Sequence, residues 1–370
     1  MKILKRIFIG VIVFFETMSA FSNEIGNFNP TTSTPVQYEQ IHNMNDPAVI
    51  DAYTYLFADN VYHVSQQRDA QLLPYAEMLG LVRAAQSINR IGTLQDPRPV
   101  EGRMATVKGT NPPNDVRWVM AQPFYHACFV DDYDQIRTLY SLQNAYTVAI
   151  ARSFGRFYDR TYIAAALGVA CTGPNRTGQA ALPDSQKLVA FQKTEGGVNA
   201  PTAGVGLNLQ TLRQIRLTMK SNFAITRGDM LVYVVSANDT DELLKEIQVT
   251  NRDYTNALAL VDGEVAAFMG MLFVETELLP HNANAVTYDK ETGSLAGTNG
   301  TLPAGKGLRT FCFVTGKSVC FGMNTSLNGL ITRIPQRHNN WMIYYRAEFG
   351  AVRKEEVAVM EILTLDKRVA

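Results

Sequence analysis

The string Thr315-Gly316-Lys317-Ser318 ends like a phosphate-binding loop, in which freed backbone amides and a lysine cradle a nucleotide. That chemistry needs a glycine five residues before Gly316, where this chain has Phe311. With Phe313 beside it, the segment cannot form the anion-binding nest that glycines make. Gly204-Val205-Gly206 opens like a dinucleotide fingerprint, yet Leu209 stands at the third glycine position and no strand plainly precedes it. Both are set aside. His42, His63, His126, His281 and His338 are isolated in sequence, and no G-x-S-x-G elbow anchors a Ser–His–Asp triad. Asp131, Asp132 and Asp134 cluster enough to suggest a cation site. Asp132 and Gln135 have capping-box spacing, and acids in a first turn face the helix dipole, so a helix start is expected there instead. Cys128, Cys171, Cys312 and Cys320 show no CxxC spacing, and a chain of 370 residues needs no disulfide staples. They read as small buried hydrophobes in a reducing cytoplasm, where the sequons at Asn175, Asn238, Asn299 and Asn324 carry no meaning. The expectation is a protein that is not an enzyme, with no catalytic residue, no cofactor and no metal.

The elements that would position such residues are mixed. Residues 1–17 carry Lys2, Lys5 and Arg6, then an apolar run from Ile7 to Phe15. That run is shorter than the roughly 20 residues a bilayer requires. It reads either as a leader or as upstream sequence before a start at Met18; the later start is favoured, because Met18 sits where a signal cleavage site wants a small residue. An extended arm rich in Asn, Thr, Ser and Pro follows, to residue 35. From Val36 to Arg90 the pattern is mostly helical, with Asp46 and Pro47 opening one helix. Gly92, Pro97, Pro99, Gly102, Gly109, Pro112 and Pro113 then punctuate a two-stranded excursion, with strands near Met104–Lys108 and Val116–Met120 and a tip at Lys108–Asp115. A short helix over Tyr133–Tyr140 precedes a long one capped by Asn144. Tyr146, Ile150, Phe154, Phe157 and Thr161 form its apolar stripe, Arg152, Arg156, Asp159 and Arg160 its polar face, and Gly173-Pro174 its stop.

Residues 173–206 read as a loop. Asn208 caps a second helix with Leu209, Leu212, Ile215 and Met219 inward and Arg213, Arg216 and Lys220 as a basic stripe. That stripe could be a solvated face, an inter-subunit salt-bridge surface or a face toward nucleic acid, the first being favoured. Met230–Ser236 and Phe268–Glu275 read as strands, Thr240–Glu246 as a helix opened by Thr240, and Asn282–Pro303 as a polar loop. Trp341–Ala347 and Val357–Thr364 are the closing strands. No repeat of fixed period appears.

Composition adds limits. Lys plus Arg and Asp plus Glu are both 34, which argues against a dedicated nucleic-acid binder. A neutral chain with 18 Phe and 16 Tyr suits a protein that buries surface against copies of itself.

Four stretches occur in a telling order. Ser65-Gln66-Gln67-Arg68-Asp69 precedes Leu72-Leu73. Phe129-Val130-Asp131-Asp132-Tyr133-Asp134 leads to Ala145-Tyr146 and Phe157-Tyr158-Asp159. Leu260-Val261-Asp262-Gly263-Glu264-Val265 leads to Phe268-Met269-Gly270 and Leu278-Leu279-Pro280. Phe349-Gly350-Ala351-Val352-Arg353 comes before Val357 to Ile362. From Val36 to Ile362 this order resembles the tailed-bacteriophage major capsid protein family with the HK97-type coat fold. The resemblance implies an α+β, HK97-like fold divided as an N-terminal arm (18–35), a helical region (36–91), an extended loop (92–127), a long spine helix with peripheral region (128–206), an axial domain with insertions (207–340) and closing peripheral strands (341–370). Residues 1–17 have no counterpart in that pattern. It further implies pentamers and hexamers of the chain in an icosahedral shell around double-stranded DNA, held by non-specific contact. Scaffold, portal and decoration proteins would be further partners, with assembly in the host bacterial cytoplasm and no membrane partner. The other readings are an encapsulin-like compartment and, in a different class, an exported enzyme or surface protein with residues 1–17 as signal peptide.

Overall fold

The computed structural model describes residues 67, 69–82, 84–99, 106, 108–131, 142–192, 205–245, 267–295, 297 and 300–368. All of them belong to one compact unit, Asp59–Ala370. The leader, the arm, the helix at Pro47, the cap at Asp132 and the helix at 133–140 lie outside the described residues.

Strand β1 (Glu77–Gly80) is followed by β2 (Ala85–Ile91), β3 (Asn114–Met120) and β4 (Gln122–Val130). The mostly helical pattern expected up to Arg90 is replaced by strands at 77–80 and 85–91. β2 pairs with β3 from Ala85↔Met120 to Ile91↔Asn114, so partners thirty residues away outweigh local helix propensity. The two-stranded excursion exists, but its first strand is β2, since Thr106 and Lys108 belong to no strand. Its turn is accordingly longer than expected, reaching from Gly92 to Pro113.

Helix α1 (Leu142–Leu167) has 26 residues and is about 39 Å long. It begins before Asn144, which therefore lies inside it, and stops at Gly168 rather than Gly173-Pro174. Its buried stripe is Ile150, Phe154, Tyr158 and Tyr162, with Ile163, Ala166 and Leu167 completing the last turns. Phe157 and Thr161 sit at the edge, half-buried. The difference has a geometric cause. Four residues turn a helix by 400°, so a stripe stepping by four drifts around the axis. The drift is used. Ile150, Phe154 and Tyr158 pack on Phe321, Ile343 and Phe349 of one sheet, while Tyr162, Ile163, Ala166 and Leu167 pack on Val232, Val234, Phe311 and Phe313 of another.

β5 (Ala170–Thr172) precedes the expected loop at 173–206, which β6 (Gly178–Ala180) and β7 (Lys187–Val189) break up. Helix α2 (Leu209–Ser221) is as expected: the Asn208 side chain accepts from the Thr211 amide, and Leu209, Leu212, Ile215 and Met219 are buried. β8 (Leu231–Val235) is buried throughout. Helix α3 (Ala237–Leu244) starts earlier than expected because Ser236, not Thr240, caps it in a reciprocal box with Asp239. The expected strand over 268–275 is split into β9 (Ala267–Phe268) and β10 (Met271–Glu275) by a turn with Met269 and Gly270 at positive φ. β11 (Val286–Tyr288) and β12 (Gly300–Leu302) make a small hairpin within the expected polar loop.

β13 (Gly307–Val314) and the 16-residue β14 (Val319–Ile334) have no counterpart in the sequence reading. The closing strands are β15 (Asn340–Arg353) and β16 (Val359–Leu365), and they enter different sheets. One sheet has the order β1-β14-β15-β4, a second β7-β16-β13-β8-β10-β9, and a third β2-β3-β5-β6. α2 and α3 cover the second sheet through Leu212, Ile215, Met219 and Leu243, on the face opposite α1, which explains the unbroken apolar run of β8. The fold is therefore α+β.

Candidate functional site

Among the described residues the chemistry-bearing side chains are placed apart, in structural roles; His42, His63, Asp132 and Asp134 lie outside them. Thr315–Ser318 forms the tight turn joining β13 to β14, with Gly316 at φ 72. Lys317 there reaches Asp229 Oδ2 at 2.5 Å and Thr226 Oγ1 at 2.9 Å. That contact, with the Thr226 hydroxyl, holds the Asp229 carboxyl down at about 2. His126 is exposed on β4, and His338 sits at positive φ in the turn after β14. His281 meets Asp366 at 3.0 Å, but Arg368 holds the same carboxylate from 3.1 Å, an arrangement that ties down the C-terminal segment. No group of His, Cys, Asp or Glu suited to a metal ion occurs among the described residues. The cysteines are free; Cys312 and Cys320 are buried, whereas Cys128 and Cys171 are only half-buried. Of the basic stripe on α2, Arg213 and Lys220 are exposed, and Arg216 donates to the Met269 carbonyl in the β9–β10 turn.

What the elements do build is a set of anchored surfaces. The β2–β3 hairpin is fixed at its base by Glu356, whose two oxygens accept from Arg90 at 3.0 Å and from buried Arg117 at 2.5 Å. Asp115 joins the cluster 3.3 Å from Arg117. Trp118 adds a donation from Nε1 to the Gly173 carbonyl at 2.7 Å, with the Arg176 guanidinium stacked over its ring. Beyond this base, described residues 91–99 and 108–111 are all exposed, including Ile91 and Leu94.

Asp159, expected on the polar face of α1, is fully buried. It accepts from the amides of Leu72 and Gln71, each at 3.0 Å, and from the Gln67 side chain, so it fastens the stretch before β1 to the helix. Burial raises its carboxyl pKa against those three bonds, which pull it down. Sequence reasoning missed this site because an acid between Tyr158 and Arg160 looks solvated.

A family model described as phage capsid protein matches residues 49–366. This chain belongs to the phage capsid protein family. Its fold is shared with solved capsids at low identity. The capsid of cyanophage P-SCSP1u is 16% identical with a TM-score of 0.59, over 86% of this chain and 94% of that one. The capsid of Ralstonia phage GP4 is 11% identical with a TM-score of 0.60, over 85% and 96%. The capsid of a native GTA particle is 12% identical with a TM-score of 0.56, over 91% and 100%. No curated protein sequence matches. As a capsid protein, the chain is a self-assembling coat subunit. No helix among the described residues is long and apolar enough to cross a membrane.

In this capsid protein the Glu356 cluster governs how the hairpin leaves the body. Replacing Glu356 by alanine leaves the buried Arg117 charge without its nearest carboxylate, and breaking one partner of a buried pair costs about 3–5 kcal/mol. Arg117 retains Asp115, so the lower end is expected. The measurement is thermal unfolding of the unassembled subunit together with hydrogen exchange of the β2 and β3 amides. A lower melting temperature with faster exchange in both strands is expected, and unchanged exchange would show that strand pairing alone holds the hairpin.

Proposed function

We propose that copies of this capsid protein form pentamers and hexamers that close an icosahedral head around double-stranded DNA, with α1 as the spine of a peripheral domain. The six-stranded sheet with α2 and α3 is then the axial domain. The observation that carries this reading is the β2–β3 hairpin. It is rigidly anchored at Glu356 yet exposes Ile91 at 74% and Leu94 at 59% in the single subunit. Exposed apolar residues on an anchored hairpin suit a contact surface, and a neighbouring copy is the partner that a coat subunit always has. The subunit performs no catalysis in this role, and its contacts to DNA are weak and non-specific, because zero net charge gives no general attraction to phosphates. Scaffold, portal and decoration proteins are its further partners, with assembly in the bacterial cytoplasm.

Expression of the chain alone, followed by size-exclusion chromatography and negative-stain microscopy, tests the core of this reading. Closed particles or capsomer-sized rings are expected at micromolar concentration. A chain that stays monomeric with and without co-expressed scaffold would overturn it.

A further inference from the structure

The strand edges of this subunit are unequal. β7, β9 and β6 are edges of two or three residues, and β1 of four. β2 is longer but carries Arg90, and the free part of β14 beyond Met323 starts with register shifts at Met323/Thr325 and Thr325/Asn328 and carries Arg333 in the regular stretch after them. Shortness, charge, irregularity and proline are the usual devices by which proteins keep edges from pairing. β4 has only the last, Pro123, at its second residue, and the seven residues after it have none. Its nine residues, Gln122 to Val130, contain no Lys, Arg, Asp or Glu and run in unbroken register with β15 from Phe349 to Trp341. Among the described residues no strand pairs with its other side. Two of its large side chains face water, Tyr125 at 71% and Phe129 at 43% exposure.

Beside this edge, between β4 and α1, runs a groove of about 420 Å³. Phe124, Phe154 and Phe157 line it, the rings of Phe124 and Phe157 meeting edge to face at 4.7 Å. Exposed Arg160 also lines it, beside Arg156, which donates to the Gln67 carbonyl, and among the described residues no carboxylate lines the groove. An extended chain laid along β4 would make backbone hydrogen bonds to the edge and drop alternate side chains into the groove. The charge of the groove selects a segment with a carboxylate among those side chains.

We propose that the free edge of β4 is a strand-pairing site for an extended, acid-bearing segment of a second copy of this chain. The proposal rests on the coat-subunit reading and adds to it the surface used. Pro123 fixes which backbone groups are available. Proline has no N–H to give a ladder and within sheets turns that side to solvent. Backbone direction alternates along a strand, so Tyr125, Ala127 and Phe129 share the outward direction of Pro123.

The test compares hydrogen exchange in unassembled subunit and in purified assemblies of the full chain. Amides of Tyr125, Ala127 and Phe129 should be at least tenfold more protected in the assembly, with the intervening amides protected in both. Two variants separate causes. Ala127→Pro removes one outward N–H, and Tyr125→Lys places a charge at the rim without touching the backbone. Both should keep the circular dichroism of the subunit, and each should reduce assembly at least tenfold. Wild-type particles with unprotected outward amides would overturn the proposal while leaving the coat-subunit reading intact. So would protection already present in the dilute subunit, which would mean that its own chain covers β4, or protection that appears only when a different protein is added. Failure of the wild-type chain to assemble at all would instead defeat the coat-subunit reading, and this proposal with it.

Discussion

Replacing Arg353 by methionine is expected to lower both the melting temperature and the soluble yield of the subunit. The Arg353 side chain is wholly buried. Its Nη1 donates to the carbonyls of Ala166 and Gly168 at 2.9 and 2.7 Å, and its Nη2 to that of Ala180 at 2.9 Å. The first two carbonyls close the C-terminus of α1, where the helix dipole is negative and its last carbonyls have no intrahelical donor. The third belongs to β6. One guanidinium therefore joins the end of the long helix, β15 and the β5–β6 corner. Methionine fills much the same volume but donates nothing. Orphaning the buried Ala166 carbonyl costs about 1–3 kcal/mol and the part-buried carbonyls of Gly168 and Ala180 less each, so the loss is about 3 kcal/mol against a whole stability of about 5–15 kcal/mol. Lysine does not rescue the site, since a single ammonium lacks the planar fork that reaches carbonyls in two directions. Burial opposes the charge and lowers the Arg353 pKa, yet a guanidinium stays protonated at any working pH. Soluble yield and melting temperature are the measurements, and a methionine variant melting within a few degrees of wild type would show that water replaces the donors.

How far the sequence disclosed this architecture depended on the range of the interactions. α2 was legible because Leu209, Leu212, Ile215 and Met219 lie on one face for three turns and the Asn208 side chain caps the helix at an amide three residues on. β8 was legible because both faces are covered, which makes Leu231–Val235 continuously apolar. β14 was not. Asn324, Ser326, Asn328 and Gly329 read locally as loop, and they are extended because Val319–Ile334 pairs with β15 across a long register. The split of 267–275 depended on Met269 adopting φ 52, which no pattern announces. For the assembly surfaces, the excursion was visible in its Gly and Pro residues, but its anchor was not. Glu356 is 266 residues from Arg90 and 239 from Arg117, and only the folded chain brings them together. The same holds for Asp159, whose partners Gln71 and Leu72 are nearly ninety residues upstream.

Removing the turn of the β2–β3 hairpin is expected to abolish shell formation and leave the subunit folded. The register shows where to cut. Ile91 pairs with Asn114, and the Gly92 amide donates to the Pro113 carbonyl at 2.7 Å, so the ladder is intact up to those residues. Asp115, Arg117 and Arg90 must stay, because they form the cluster on Glu356. Replacing 93–113 by Asn-Gly-Thr closes the strands with a two-residue turn suited to their twist, its last residue supplying the closing N–H that Pro113 lacks. Shortening the loop also lowers its closure entropy, so the variant should melt no lower than wild type. What it loses is the exposed surface beyond the base, with Leu94 among it, which in the coat-subunit reading is covered only by another copy. Circular dichroism and melting temperature within error of wild type, with particles absent by microscopy, is the expected pair of results. Normal shells from this variant would remove the hairpin from assembly and leave the β4 edge to carry the contact. A variant that fails to fold would show instead that the turn stabilises its own subunit. That outcome would contradict the exposure of residues 91–99 and 108–111, where the described chain offers no buried side chain for the body to lose.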